Sequence, residues 1–290
     1  MAKRRMAVRG ADRQRRLWDP PSRAYLYEDP TAPTLRLADV AAYLRETLGM
    51  PVERRPEFFV HHAAGGLEDL ARAIAITRVR SVERPFEPIE PLYGEVQFEL
   101  RLLRNPERRV GGVLYDGYQY TQVLRGLLPT EERRMDVLHI AFSYRLPGTF
   151  GEDGRYHARA VICSIPSLVS TSGLVEAPAK PEAYYRLKAQ LSAALGSVPF
   201  EAAKEPFEGQ FLDYDDLRLT EVAKGYALQC AMYQITKEPF CDIPRCRLFN
   251  AHWQAELLAA QLESGRLCPN HAQIAKSIRT IVRQRARGKD

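Results

Sequence analysis

The sequence predicts a mixed α/β (α+β) protein, with a sheet flanked by helices, on three observations. A helix, an extended run and a second helix follow one another between Leu35 and Thr77. Two segments, Asp136 to Ser143 and Ala158 to Ile165, are rich in β-branched and other apolar residues and read as buried strands. A long helix with one apolar face then runs to about Ile235.

Taken in order, residues 1 to about 24 read as a flexible basic tail that ends near Pro20 and Pro21. Leu37, Val40, Ala41, Leu44 and Leu48 recur at helical spacing, and Gly49 follows as a stop. Glu57 to His61 reads as extended. Leu67, Leu70, Ala71, Ile74 and Ala75 mark a second amphipathic helix. Three prolines, Pro85, Pro88 and Pro91, make the next stretch a connector. Val96, Phe98, Leu100 and Leu102 alternate, which predicts a strand over Glu95 to Leu103. A short strand near Val113 to Tyr115 and a helix near Thr121 to Leu128 precede the two buried strands.

Between those strands, Leu146 to Arg155 carries Gly148, Gly151 and Gly154 and reads as a loop or hairpin tip. Ser167 to Pro181 is small and glycine- and proline-bearing, so a surface path is expected. Glu182 to Leu195 is a helix; Asp215 or Asp216 caps the long helix to Ile235, and a last helix is expected over Ala251 to Glu263. The expected organisation is a single domain over 25–275 between basic tails at 1–24 and 276–290.

The 290 residues are 45% hydrophobic and 27% charged, a composition that excludes wholesale disorder. No apolar run approaches membrane-spanning length, and Met1 to Arg16 lacks the apolar core of a secretory signal. Lysine and arginine (42) exceed aspartate and glutamate (36) by 6, and the excess lies at the two ends. Such arms offer weak, non-specific affinity for nucleic acid, or act as solvated tails.

Four of the five cysteines fall between Cys230 and Cys268, a clustering that suggests metal chemistry in a reducing cytoplasm. C-D-I-P-R-C places four residues between Cys241 and Cys246, and C-P-N-H follows after 21 more. Two thiolate hooks, the second ending on His271, are the pattern of a structural Zn2+ site built from Cys241, Cys246, Cys268 and His271. The competing reading is buried free thiols beside an unrelated histidine. His252, one turn before Glu256, is a further candidate ligand, and Cys163 reads as an inert core thiol. A hydrolytic site would draw on Glu152, Asp153, His157 and Glu221.

From Leu217 to His271 the chain resembles archaemetzincin-type zinc peptidases, whose HExxHxxGxxH helix is followed at once by a cysteine and a second cysteine after four residues. The family's closing pair of ligands corresponds to Cys268 and His271. In register from Cys241, the family's three histidines fall on Cys230, Gln234 and Phe240, its glutamate on Ala231 and its glycine on Lys237. The chain is also similar to a group of archaeal proteins labelled as metallopeptidases, through Phe240 to Gln254 (F-C-x4-C-R-L-x-N-A-H-W-Q) and Val175 to Pro181. These likenesses imply a metzincin-like mixed sheet with a C-terminal zinc-bound helical segment. They also imply a degenerate peptidase centre, with binding of a peptide or protein partner as the remaining activity.

Overall fold

A computed structural model describes residues 19–63, 65–195 and 203–288. In chain order the strands are β1 (Arg23–Tyr27), β2 (Val52–Arg55), β3 (Leu114–Asp116), β4 (Val137–Ser143), β5 (Leu146–Phe150), β6 (Tyr156–Ala158), β7 (Val161–Ile162) and β8 (Ser167–Ser170). The α-helices are α1 (Leu37–Leu48), α2 (Phe58–His62), α3 (Leu67–Ile76), α4 (Tyr93–Arg104), α5 (Gly117–Leu127) and α6 (Thr171–Glu176). They continue with α7 (Glu182–Leu195), α8 (Leu219–Thr236), α9 (Gln254–Leu258), which runs on into a π-helical stretch (Ala259–Ser264), and α10 (Pro269–Arg287).

The architecture is mixed α/β. The main sheet has the order β2-β1-β4-β8-β7, parallel except for β7, which pairs antiparallel with β8 at the edge. A parallel sheet needs both faces covered, and it is covered here. On one face Leu26, Ile140 and Val169 pack with Val40 and Leu44 of α1, Val222 of α8 and Ile278 of α10. On the other, Tyr25, Tyr27, Ala141 and Leu168 pack with Ile74 of α3, Leu100 of α4 and Leu124 of α5. A smaller sheet, β3-β5-β6, stands beside it.

Several expectations are corrected. β1 begins at Arg23, inside the stretch read as a tail, and it is the strand that joins β2 to β4. Glu57 to His61 is not extended. Glu57 accepts a hydrogen bond from the Val60 N–H and caps α2, while Val52–Arg55 forms the strand. Glu95 to Leu103 is helical: Val96, Glu99, Leu100 and Leu103 are buried at three-and-four spacing, and the Glu95 carboxylate caps the start by accepting from the Leu92 N–H. Ala158 to Ile165 divides between β6 and β7, which belong to different sheets. Leu146 to Arg155 holds β5 and the turn of the β5–β6 hairpin.

Ser167 to Pro181 does not run over the surface. β8 and the first five residues of α6 are buried, and a side chain at Gly173 would strike the Arg159 carbonyl. The stretch read as a C-terminal tail from 276 lies largely within α10, which buries Ala275, Ile278 and Val282. The expected tail 1–18 lies outside the described residues.

Beneath α2, three polar side chains meet at one hydroxyl. His139 Nε2 lies 3.0 Å from the Glu132 carbonyl and must donate to it, so Nδ1 is the acceptor for Tyr27 O–H at 2.8 Å. The Tyr27 oxygen then accepts from His62 Nε2 at 2.9 Å and from Arg55 at 3.2 Å. Burial pushes both imidazoles down to about 4. In the unfolded chain they take up protons near 6.5, so between those values the unfolded state binds more protons and stability falls with pH. For fully buried His139 the loss between pH 7 and pH 5 is about 2 kcal/mol. Urea unfolding at the two pH values, compared with His139→Gln, checks it: the variant's pH dependence should be the shallower one.

Candidate metal centre and adjoining groove

The first hook follows the end of α8, where Lys237 takes a left-handed conformation (φ 66°) and turns the chain away. Cys241 N–H donates to the Leu248 carbonyl (2.9 Å), which closes the hook on itself, and Cys246 bridges to Arg266. Backbone amides point at the sulfurs: Ile243 N–H at Cys241 Sγ and Cys268 N–H at Cys246 Sγ, both 3.4 Å. Cys268 is the N-cap of α10, Pro269 opens that helix, and His271 lies in its first turn.

The structure brings all four candidate ligands together. Cys241 and Cys268 sulfurs are 4.0 Å apart, Cys268 Sγ is 3.2 Å from His271 Nδ1, and Cys246 Sγ is 3.8 Å from it. All four donor atoms lie within 4.8 Å of one another. A tetrahedron with metal–sulfur bonds near 2.3 Å has edges of about 3.8 Å, so the donor set fits a zinc-sized ion. The cysteines are buried and His271 half-buried, and four protein donors leave a tetrahedral ion no open position for substrate.

Burial, with a smaller push from neighbouring Cys241, raises the Cys246 thiol to about 12 against the amide hydrogen bonds that lower it. Burial also opposes ionisation of Cys268, but amides of His271 and Asn270 and the neighbouring thiols outweigh it and hold that thiol below its ordinary value. Burial lowers the His271 pKa and so favours the neutral form, the one that ligates. Crowded thiols of this kind ionise together when a dication compensates them.

Among the described residues this is the one Cys/His/carboxylate group of its kind. The other candidates are dispersed. Cys230 is buried, hydrogen-bonded to Cys163 and Ser167, and its pKa is raised by burial. Gln234 donates to the Met135 and Val137 carbonyls (2.8 and 2.9 Å) and ties α8 to β4. Ala231 is buried and Phe240 exposed. Glu221 is buried enough to raise its pKa, but Lys224 and Arg247 outweigh that and hold it low. His157 of β6 pairs with Asp153 (2.8 Å), which lies beside Glu152 on the exposed β5–β6 turn. Glu256 does not face the His252 ring: its carboxylate accepts from the backbone N–H of His252 and Trp253 and caps α9.

Next to the metal hook lies a groove of about 670 Å3 that the sequence reading missed. Residues 157–163, including edge strand β7, form one wall, and Tyr226, Tyr233, Lys237 and Phe240 form another. Ala177–Ala179 and Asn250–His252 complete it. These last two stretches fall within Val175 to Pro181 and Phe240 to Gln254, and they are stitched together. Ala179 N–H donates to the His252 carbonyl (2.7 Å), and Gln254 N–H donates to the Ala179 carbonyl (2.8 Å).

The fully buried Gln254 side chain completes the stitch. Its amide donates to the Leu174 and Val175 carbonyls, and its oxygen accepts from the Leu212 N–H (3.0 Å). Gln254→Ala leaves those three backbone groups without partners, a loss of about 2–4 kcal/mol. Denaturant unfolding should show it, and Gln254→Glu should not restore the two amide donors.

A family model described as "Probable metallopeptidase family (DUF6775)" matches residues 20–278. No curated protein and no solved structure matches the chain.

Proposed function

The chain belongs to this probable metallopeptidase family, and from that premise we propose a zinc-stabilised protein of metzincin-like ancestry that binds an extended peptide in the groove and lacks HExxH peptidase chemistry. The observation that carries the reading is the pairing of a closed ligand set with a separate groove bounded by a free strand edge. β7 is the last strand of its sheet, with β8 on one side and no described strand on the other. An extended peptide can add to such an edge through main-chain hydrogen bonds while neighbouring pockets take alternate side chains.

Zinc hydrolysis of a peptide needs three protein ligands, an open position and a general base. The positions that the archaemetzincin register assigns to that cage carry Cys230, Ala231, Gln234 and Phe240, and the two polar ones are committed to structural hydrogen bonds. Lys237 supports the shared ancestry. It ends α8 in the left-handed conformation that favours glycine, at the position where the family's motif has one. Bound at Cys241, Cys246, Cys268 and His271, Zn2+ would supply cross-linking of the hook to the start of α10.

The test uses a pool of random octapeptides with the zinc-loaded full chain. Expected are saturable binding, slowed amide exchange over Ala160–Ile162, and intact peptides by mass spectrometry. Absence of binding would overturn the reading. Chelator-sensitive cleavage would favour the alternative, a hydrolase with a relocated site, and His157 with Asp153 on the groove rim would be its first suspect.

A further inference from the structure

The groove beside the metal hook carries cations and no carboxylate. No aspartate or glutamate is among the described residues that line it. Arg159, between β6 and β7, donates from Nε to the Thr149 hydroxyl (2.7 Å), and its terminal guanidinium nitrogens have no partner among the described residues. Lys237 Nζ donates to the Gln234 carbonyl (3.0 Å), an uncharged acceptor, and lies over the Tyr233 ring. The carboxylates nearby do not offset these charges. Asp153 at the rim is held by His157 and Arg155, both at 2.8 Å. Glu238, next to Lys237 in the chain, is exposed and does not line the groove.

Tyr226 adds a neutral donor. It is 4% exposed and lines the groove, and its hydroxyl has no hydrogen-bond partner among the described residues. Burial raises its pKa, so the hydroxyl keeps its proton to donate. Tyr226, Tyr233 and Lys237 follow one another at i, i+7 and i+11 from α8 into its C-cap, so they fall on one side of the helix. The rise from first to last is about 16 Å, enough for about five residues of extended peptide.

Resting on the peptide-binding reading above, we propose that this groove selects peptides that bear a carboxylate, held by Arg159, Lys237 and the Tyr226 hydroxyl. A carboxylate only accepts hydrogen bonds, and these three groups only offer donors in this setting. The free end of the Arg159 guanidinium presents the fork that a carboxylate fits. A single nucleic-acid strand is the poorer occupant. Base stacking needs open aromatic faces, and Tyr226 is buried, whereas the β7 edge suits the main-chain amides of a peptide.

The experiment measures, by fluorescence anisotropy with the zinc-loaded full chain, the affinity of octapeptide pools that differ at two central positions. These are Glu-Glu, Gln-Gln or Lys-Lys, all with amidated C-termini, and a Gln-Gln pool with a free C-terminus tells a terminal carboxylate from a side-chain one. Expected is a preference of about tenfold for a carboxylate-bearing pool over amidated Gln-Gln, the worth of two partly exposed ion pairs, with Lys-Lys weakest. Arg159→Gln and Lys237→Gly, the latter suited to the left-handed backbone there, should each cut that preference about threefold and leave affinity for amidated Gln-Gln unchanged. Tyr226→Phe, which removes a single oxygen, gives the same readout where a charge variant fails to fold. Equal affinity for all pools would overturn the proposal and leave the peptide reading standing, whereas binding of none would overturn both. A preference that survives all three substitutions would also overturn it, as would a decathymidylate strand held more tightly than the Glu-Glu pool.

Discussion

Replacing Cys246 by serine is expected to abolish tight metal binding and to lower the stability of the chain by several kcal/mol. Cys246 is fully buried, its sulfur accepts the Cys268 N–H, and it lies 3.8 Å from His271 Nδ1. The loss propagates because Cys268 is the N-cap of α10 and His271 lies in its first turn, and α10 covers α1 through Ala275, Ile278 and Val282. An unfolded chain has no preformed cage, so the binding energy of the ion is folding energy. Wild-type protein purified without added metal should carry one zinc per chain by elemental analysis, and the serine variant none. Cys163→Ser is the control, since that thiol lies outside the cluster, and it should keep its zinc. Purified wild type free of metal, with the stability of the variant, would end the structural-zinc reading.

The second large effect is expected at Glu99, a fully buried carboxylate on α4. It accepts from Arg78 (2.6 Å), Arg145 (3.1 Å) and Tyr115 O–H (2.8 Å). The Arg145 and Arg78 side chains are each mostly buried, and the Arg145 Nε has no partner. Glu99→Leu leaves the mostly buried Arg145 without its carboxylate and Arg78 with only the more distant Glu95 (3.8 Å), and breaking buried pairs in this way costs about 3–5 kcal/mol. Glu99→Gln keeps the shape and one acceptor but removes the charge, and its loss should fall between wild type and Glu99→Leu. Urea midpoints of the three proteins at neutral pH decide the order. A Glu99→Leu protein as stable as wild type would mean that the arginines find solvent, and that the network contributes nothing.

Much of the metal cluster was legible in the sequence because hook spacing is local. Cys241 and Cys246 must be close, and Cys268 and His271 must be close, whatever the rest of the chain does. Helices with a clean three-and-four pattern, such as Leu37–Leu48 and Glu182–Leu195, were legible for the same reason. Glu95 to Leu103 was not, since Val96, Phe98, Leu100 and Leu102 satisfy a period of two while Val96, Leu100 and Leu103 satisfy the helical one. The decision falls to a buried Glu99 whose partners Arg78 and Arg145 lie on other segments.

The groove was illegible for a related reason. A-R-A-V-I-C-S-I-P looks like one strand, and nothing local shows that Arg159 N–H pairs with Pro147 while Val161 pairs with Val169 in another sheet. Val175 to Pro181 likewise had no local rationale. Its role comes from Gln254, far along the chain, whose amide holds the Leu174 and Val175 carbonyls.

The core beneath α1 sets a problem of timing during synthesis. Val40 and Leu44 leave the ribosome early, but the residues that cover them, from Val222 of α8 to Val282 of α10, are made last. At ordinary elongation speeds the nascent chain waits on the order of tens of seconds with that apolar stripe uncovered. A core closed from sequence-distant segments in this way leaves the α1 stripe without its cover until α8 and α10 are made.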